Sequence, residues 1–338
     1  MLRNGVSFLC SSLLLVMLVL GCSSRRGVEK VKLVRLPFQL TQVLDGEKIP
    51  VSFGKVKAID VDSQGNLYVL DAENCRVSKF DVEGRLIDYW GKEGLGPVEF
   101  QHPRALFVVG DSLLYVFHDG GAEVMDLGGS FRRSVLANEI YDVKVCSEGK
   151  IVYNYQDRSL SIGFCLSVYT PDSKVIADFR EPLARKYKNE VADVGFMDLN
   201  SRDEIVYFQA FLDSIYIYDL HGKVLARARQ NLGFRPKLLT KDHQVALNED
   251  VFVDRDDQIF VLRVFKEASE EGTLTKTIDE YEPNLKLIRT YELPEPVTLS
   301  IGFNLVSPWY HKFAKRGRQF LFFVSEPEDH LEVYVPQQ

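Results

Sequence analysis

Six charged or polar side chains have the chemistry of a binding site if the fold brings them together. They are Asp71, Arg76, His102, Arg104, His118 and Asp119. Carboxylate, guanidinium and imidazole groups that converge on a concave opening can hold a small polar ligand or a cation. Asp71 and Arg76 also have a simpler interpretation, because they can form an ion pair across a β-hairpin. The six residues are therefore candidates for a ligand or partner site, provided that the surrounding strands end at one face.

No motif of a known catalytic or metal-binding class accompanies these residues. The sequence contains no P-loop, no His-Glu-x-x-His, no Gly-x-Ser-x-Gly and no Cys-x-x-Cys, and its six histidines lack the spacing of metal ligands. The run from Asp60 to Asp71 is close to the calcium loop of an EF-hand, but strand-like segments flank it where helices are needed. Asp and Gly at these positions fit a tight turn. We therefore predict no catalytic residue, no metal, no cofactor and no enzymatic activity.

The elements that must position the six residues are short strand-like segments joined by tight turns. Between residues 56 and 91, four segments of alternating polarity are separated by turns rich in Asp, Asn and Gly. Similar groups recur at residues 105–126, 142–169, 205–226, 250–281 and 319–335. A recurrence of about 40–55 residues is typical of the blades of a β-propeller.

The repeats predict an all-β fold, a six-bladed β-propeller of four-stranded antiparallel blades. Five or seven blades remain alternatives, because the third and sixth copies are irregular. The last copy lacks one strand, and the strand-like residues 30–36 can supply it and close the ring. In such a ring, the loops that precede the first strand of each blade share a face with the loops between the second and third strands. The six candidate residues are expected on that face.

The first 21 residues have the features of a secretory signal peptide. Arg3 precedes a mostly apolar run from Val6 to Leu20, which is shorter than the ~20 residues that span a bilayer. The run ends in Val-Leu-Gly-Cys, which resembles the bacterial lipobox. The resemblance implies cleavage before Cys22 and attachment of lipid to its thiol; a plain secretory signal is the alternative. Ser23 in the next position favours the outer membrane, with the protein facing the periplasm.

Two further motifs resemble those of known propeller families. The run Asp62–Asp71, Asp-x-x-Gly-Asn-Leu-Tyr-Val-x-Asp, resembles an NHL-type repeat. The run Gly94–Pro103 resembles the linker of TolB-like six-bladed propeller lipoproteins. The resemblance implies a propeller fold and a place in the cell envelope, and it implies no reaction. The predicted organisation is a signal peptide at 1–21, a linker at 22–29 and a propeller domain at 30–338.

The net charge of the chain bears on which partners it can bind. The chain has 338 residues and a formal net charge of −7, which argues against nucleic acid as a partner. We expect a monomer that is held on the membrane by its lipid anchor and binds an envelope protein or a small ligand. The alternative function is that of a propeller hydrolase or lyase, similar to the propeller lactonases, with a metal at the axial mouth.

Three other features have less specific interpretations. The polar insertion at 266–276 is either a flap over a partner site or a solvated loop. The basic cluster within 180–189 is read as a solvated face. Cys146 and Cys165 lie in apolar runs and are predicted to be core residues, with a disulfide between them as the alternative.

Overall fold

The regular elements of the computed structural model are β-strands. The described residues are 35–44, 53–135, 142–156, 164–179, 195–209, 214–230, 248–266, 274–292, 313–316, 318–324 and 330–336. The predicted domain boundaries at residues 21 and 29 and the lipid-bearing Cys22 lie outside these ranges. No helix in the described ranges is both long enough and apolar enough to cross a membrane.

Four of the sheets are antiparallel meanders of four strands in chain order. The first contains β2 (Val56–Val61), β3 (Leu67–Asp71), β4 (Arg76–Phe80) and β5 (Leu86–Trp90). The second contains β6 (Ala105–Val109), β7 (Leu113–His118), β8 (Gly121–Asp126) and β9 (Phe131–Val135). The third contains β10 (Asp142–Val145), β11 (Ile151–Gln156), β12 (Phe164–Tyr169) and β13 (Val175–Phe179). The fourth contains β14 (Gly195–Leu199), β15 (Ile205–Gln209), β16 (Ser214–Tyr218) and β17 (Val224–Arg229).

The fifth sheet has eight strands, in the order β18-β19-β20-β21-β1-β24-β23-β22. Its strands are β1 (Arg35–Leu44), β18 (Asn248–Val253), β19 (Ile259–Lys266), β20 (Leu274–Tyr281), β21 (Leu287–Glu292), β22 (Phe313–Arg316), β23 (Gln319–Val324) and β24 (His330–Pro336). The all-β propeller of four-stranded antiparallel blades is confirmed, but the predicted count of six is wrong, because the strands form five sheets. The difference arises at β1, which pairs with β21 over Arg35–Pro37 and with β24 over Phe38–Leu44, so two sets of four strands merge.

An N-terminal strand completes the last sheet, as the sequence predicts, but it lies further along the chain. β1 pairs antiparallel with β24, the last strand of the chain. The predicted segment was 30–36, whereas the strand begins at Arg35, and residues 30–34 lie outside the described part of the chain. The pairing joins the two ends of the propeller without a covalent bond.

The apolar core lies between neighbouring sheets. Strands such as β3 and β16 are buried along their whole length, whereas the outermost strands β5 and β17 are largely exposed. One core cluster combines Tyr68 and Leu70 of the first sheet with Leu114 and Val116 of the second. Each blade therefore buries both of its faces against its neighbours, which explains the nearly continuous apolar runs of the inner strands.

Aspartate turns close many of the hairpins. Asp81 Oδ1 accepts hydrogen bonds from the N–H groups of Glu83 and Arg85, at 3.0 and 2.8 Å. Asp219 makes the equivalent pair of bonds, and Gly222, at φ +83°, completes that turn. The sequence 60–71 forms a hairpin of the same kind between β2 and β3. The interpretation of this run as a turn is therefore confirmed.

A serine–aspartate contact links adjacent sheets at these turns. Ser147 donates from its N–H and its hydroxyl to the carboxylate of Asp203, at 2.9 and 2.7 Å. Ser201 makes the same two bonds to Asp257, at 2.7 and 2.8 Å. Both aspartates have a positive φ, near +58°. We call each of these pairs a blade latch.

The three cysteines of the described ranges, Cys75, Cys146 and Cys165, are free and buried. Burial raises the pKa of the Cys146 thiol to about 12, so this group is protonated at neutral pH. The prediction that Cys146 and Cys165 are core residues is confirmed, and the alternative of a disulfide is wrong.

Candidate functional site

A cavity of about 640 Å³ opens at the end of the molecule where the first strand of each blade turns into the second. Six inner strands contribute residues to its wall: β2, β6, β10, β14, β18 and β22. The inner strands end in the aspartate turns described above, so the same local sequence that closes each hairpin also brings polar groups to the rim.

The inner strands place one residue each at an equivalent position in the wall. In every inner strand this residue forms the second-to-last cross-strand pair before the turn that leads into the next strand. The six are Asp60, Val108, Lys144, Asp198, Phe252 and Lys315, and all of them line the cavity. We call this set the cavity ring. It contains two carboxylates, two ammonium groups and two apolar side chains.

Lys144 is the most enclosed charge of the ring, with a side chain that is 6 % exposed. Its Nζ lies 3.1 Å from Asp198 Oδ1 and 5.3 Å from the centre of the Phe107 ring. Burial opposes the charge of this ammonium group, but the carboxylates of Asp198, Asp142 and Asp250 outweigh it and raise the pKa of Lys144. The side chain is therefore a fixed cation.

Asp60 has a different environment. Val108 N–H donates to its Oδ2 and Val61 N–H to its Oδ1, both at 2.8 Å. Burial raises the pKa of Asp60 to about 6, although the two backbone donors and Lys144 act in the opposite direction. The negative charge of Asp60 thus faces two backbone donors, whereas Asp198 has the ammonium group of Lys144 as a direct partner.

Two more ion pairs cross the wall. Lys315 Nζ lies 2.6 Å from Asp254 Oδ2 and 4.8 Å from the centre of the Phe260 ring. Arg255 makes a bidentate contact with Asp111, at 2.9 and 2.6 Å, between turns of the fifth and second sheets. The guanidinium holds the pKa of Asp111 at about 2, so this pair stays charged over the physiological range.

Carboxylates outnumber basic groups in the wall. Among the described residues, seven aspartates line the cavity, against the three basic residues Lys144, Arg255 and Lys315. Each of the three bases already has an aspartate partner. The field inside the cavity is therefore negative.

The six residues predicted as a site lie at the other end of the blades. In the first sheet, Asp71 pairs with Val56 and Arg76, whereas the cavity wall begins at the opposite end of β2. None of the six lines the cavity. The cavity was missed because turn residues and short polar interruptions of an apolar strand, such as Lys144, have no distinctive motif. The sequence feature that could have identified the cavity residues is a charged residue just before the aspartate turn.

Asp71 and Arg76 form the hairpin ion pair that was the simpler interpretation, at 3.3 Å. Asp71 is fully buried and also accepts bonds from the N–H groups of Gly54 and Lys55, both at 3.1 Å. Asn74 adds two donors, one of them its side-chain amide at 2.7 Å. Asp71 thus links the residues before β2 to the turn between β3 and β4.

The other four predicted residues lie close together around the hairpin between β7 and β8. His102 Nδ1 lies 2.8 Å from Asp119 Oδ2, and Arg104 pairs with the second oxygen of the same carboxylate. His118 is buried; its Nδ1 accepts the N–H of Gly120 at 3.2 Å, and burial lowers its pKa. His102 and Arg104 are solvent-exposed, and His118 belongs to the loop interior.

Two other sequence features cannot be located. Residues 267–273 of the polar insertion and the basic cluster within 180–189 lie outside the described part of the chain. Within that part, no group of three or more His, Cys, Asp or Glu side chains is arranged to hold a metal ion.

Comparison with known proteins shows the fold. No protein-family model matches the sequence, and no curated protein matches it. A protein of Bacteroides fragilis described as exported has a similar structure, with a TM-score of 0.56, 14 % identity and coverage of 89 % of this chain and 96 % of its own. A member of the DUF4221 family from Bacteroides vulgatus gives a TM-score of 0.55 at 11 % identity, covering 90 % of this chain and 99 % of its own.

An enzyme is also among the similar structures. A catalytically inactive virginiamycin B lyase from Staphylococcus aureus, in complex with quinupristin, gives a TM-score of 0.51 at 13 % identity, covering 88 % of this chain and 99 % of its own. At these identities the similarity establishes the propeller architecture and no function. The chain is therefore similar to propellers of more than one role.

Proposed function

We propose that this protein is a lipid-anchored propeller of the cell envelope that binds a small polar ligand in its axial cavity. The cavity carries the proposal: about 640 Å³ of space is lined by six inner strands and by a ring of charged and apolar side chains. A concave site with a few fixed polar groups is the usual form of a small-molecule site. The ion pair between Lys144 and Asp198 holds these two side chains in place before a ligand arrives.

The anchor and the location rest on the N-terminal sequence. The Val-Leu-Gly-Cys run would carry lipid on Cys22, and Ser23 favours the outer membrane with the propeller facing the periplasm. The TolB-like lipoproteins, which the Gly94–Pro103 linker resembles, have the same organisation. The Cys22→Ser variant should leave the membrane fraction and appear in the soluble envelope fraction, whereas wild type should remain with the membranes.

Blocking the cavity tests the binding function. Full-length protein in detergent is heated with and without 1,4-diaminobutane, succinate, glycine or glucose. We expect at least one solute to raise the melting temperature of wild type, because a ligand that binds only the folded state stabilises it. The shift should disappear in Val108→Trp, which fills the cavity, and persist in Val175→Trp on the exposed outer strand β13. Equal shifts in both variants, or none in wild type, would contradict the proposal.

A protein partner at the opposite end is the second candidate. His102 and Arg104 are held by Asp119. Leu95, which is 71 % exposed, lies against Gly120, the next residue in the chain after Asp119. A charged cluster beside an exposed apolar side chain is a common feature of interaction surfaces. The double variant His102→Ala with Arg104→Ala should lose a crosslinked envelope partner that wild type and Asp88→Asn retain. An unchanged crosslinking pattern would count against this face.

Catalysis is the third candidate, and one observation favours it. Asp60 borders the cavity and has a pKa of about 6, a value suited to proton transfer near neutral pH. A metal-dependent hydrolase or lyase would in addition need a stoichiometric divalent ion. Elemental analysis of the purified chain, followed by chelation and an esterase or lactonase assay, separates this role from binding alone.

A further inference from the structure

The charges of the cavity point to a class of ligand, and this step rests on the proposed function. In the part of the wall that the structure describes, seven carboxylates stand against three basic groups. Lys144, Lys315 and Arg255 are each engaged by an aspartate, at 3.1, 2.6 and 2.6 Å. An anion would have to displace one of these carboxylates before it gained a partner. At Asp198, Asp111 and Asp254 a cation would compete with these bases in the same way. In the described part of the chain, Asp60 has backbone hydrogen-bond donors, so a cation can reach this carboxylate without first displacing a base.

Asp60 is the group best placed to receive a cation. In the described part of the chain, its two oxygens accept hydrogen bonds from the backbone N–H groups of Val61 and Val108. A carboxylate oxygen has more than one acceptor direction, so each can bind a further donor. Asp198, the other carboxylate of the cavity ring, already binds Lys144 and the N–H of Val253.

The apolar members of the cavity ring complete the environment. Phe252 lines the cavity, and the aromatic rings of this region already accept cations: Lys144 lies over Phe107 and Lys315 over Phe260. Aromatic faces attract ammonium groups through the ring quadrupole. An aliphatic stem beside Val108 and Phe252 would bury apolar surface while its ammonium group reached Asp60.

From this arrangement we propose that the axial cavity binds small organic cations, primary amines with a short aliphatic stem, with Asp60 as the carboxylate that receives the ammonium group. The negative field of the wall attracts the cation, Asp60 gives it a direct partner, and Phe252 and Val108 contact its stem. The site discriminates by charge, because a neutral diol can offer Asp60 a hydrogen bond but no ion pair, and an anion meets carboxylates of its own charge.

Three four-carbon probes test the proposal: 1,4-diaminobutane, 1,4-butanediol and succinate, titrated into the full chain by isothermal calorimetry. We expect the diamine to bind at least tenfold more tightly than the diol or the diacid. Its affinity should fall as salt rises from about 0.05 to about 0.5 M, as screening of charges requires. Asp60→Asn should weaken diamine binding tenfold or more, and the exposed Asp88→Asn should not.

The possible results separate this proposal from the proposed function. Tighter binding of succinate than of the diamine, or diamine binding unchanged in Asp60→Asn, would overturn the assignment of cations and leave a ligand-binding cavity intact. Diamine binding that survives in Val108→Trp would overturn the cavity itself. A circular dichroism spectrum and unfolding curve of Asp60→Asn, matched to wild type, exclude loss of folding as the cause. Asp198→Asn provides a second variant of the same ring and should also weaken the diamine.

Discussion

At the scale of single residues, two aspartates are enclosed by the fold for different purposes. Asp71 accepts five hydrogen bonds, from two backbone N–H groups before β2, from Asn74 twice and from Arg76. Asp60 accepts two and borders open space. From the sequence, Asp71 is predicted as a site residue and Asp60 only as part of a turn, because the partners of a carboxylate are not visible in the sequence.

Asp71→Ala should lower the free energy of unfolding by about 3 kcal/mol, because several buried donors lose their acceptor at once. Urea denaturation followed by tryptophan fluorescence measures the change. Asp88→Ala, on the exposed outer strand β5, is the control and should change stability by less than about 0.5 kcal/mol. A change as small in Asp71→Ala would show that the loop does not depend on this carboxylate.

Asp60 should make stability depend on pH. Its pKa is about 6 in the folded protein, against the ordinary aspartate value of 3.8. The folded state therefore binds the proton more tightly, and the stabilising contribution is complete below pH 3.8 and lost as pH rises through about 6. The unfolding free energy of wild type should thus fall relative to that of Asp60→Asn over this interval, as urea denaturation at a series of pH values measures. Two neighbouring charges also shift the pKa of Asp60: Lys144 lowers it and Asp198 raises it.

A constant difference between wild type and Asp60→Asn from pH 4 to pH 7 would contradict an elevated pKa. Asp60→Asn serves as the reference for wild type because titrating groups distant from Asp60 contribute equally to both proteins.

At the scale of elements, the blade latches join turns that are distant in sequence. Asp203→Ala removes both bonds from Ser147 and places alanine at a φ of +58°. We expect a loss of about 2–3 kcal/mol in unfolding free energy, from the hydrogen bonds and the left-handed backbone together. Thermal and urea unfolding measure it.

Two substitutions control this prediction. Asp203→Asn should recover most of the stability, because asparagine tolerates a positive φ and its side-chain oxygen still accepts a bond. Asp256→Ala removes an exposed turn aspartate without a latch and should be nearly neutral. Equal effects of Asp203→Ala and Asp256→Ala would show that the latch does not stabilise the contact between sheets.

The buried second strands of the first two blades could be predicted from the sequence, but several other strands could not. β3 and β7 consist of nearly continuous apolar residues bounded by Asp, Asn and Gly, so their identity follows from pattern. β13 and β21 are only partly buried, so their alternation is weak. β14 begins with Gly195 and contains Asp198, and propensity argues against such a strand.

The candidate site was predictable only in part, for a physical reason. The order of strands predicts which loops converge at one end of the propeller. Which end encloses a cavity depends on how the sheets pack against each other. The charged members of the cavity ring lie in different sheets and far apart in the sequence, and only the register of those sheets brings Asp60, Lys144 and Asp198 to one level.

At the scale of the whole molecule, β1 connects the two ends of the chain. Val43 lies in β1 opposite Glu332 of β24. Val43→Pro should lower the unfolding free energy by about 3 kcal/mol or more, because proline has no N–H and disrupts the ladder that β1 forms here with β24. Val43→Thr keeps a strand-forming residue and should cost much less. Cooperative urea unfolding with an unchanged midpoint in Val43→Pro would show that the propeller closes without β1.

The pairing of β1 with two other strands protects the junction where the ends of the propeller meet. Because β1 bonds to β21 and β24 together, the fifth sheet continues across the place where chain ends meet. A propeller is otherwise vulnerable at this junction, since an unpaired strand edge there would be exposed. Closure keeps the six inner strands in one ring, and the cavity depends on that ring.

Hydrogen–deuterium exchange of the full chain, with and without saturating 1,4-diaminobutane, tests the central claim that the axial cavity is the binding site. The account predicts slower exchange at residues 60–65, 108–111 and 198–203, and unchanged exchange at 71–76 and 102–121. Protection confined to 71–76 and 102–121, with the cavity segments unaffected, would contradict it.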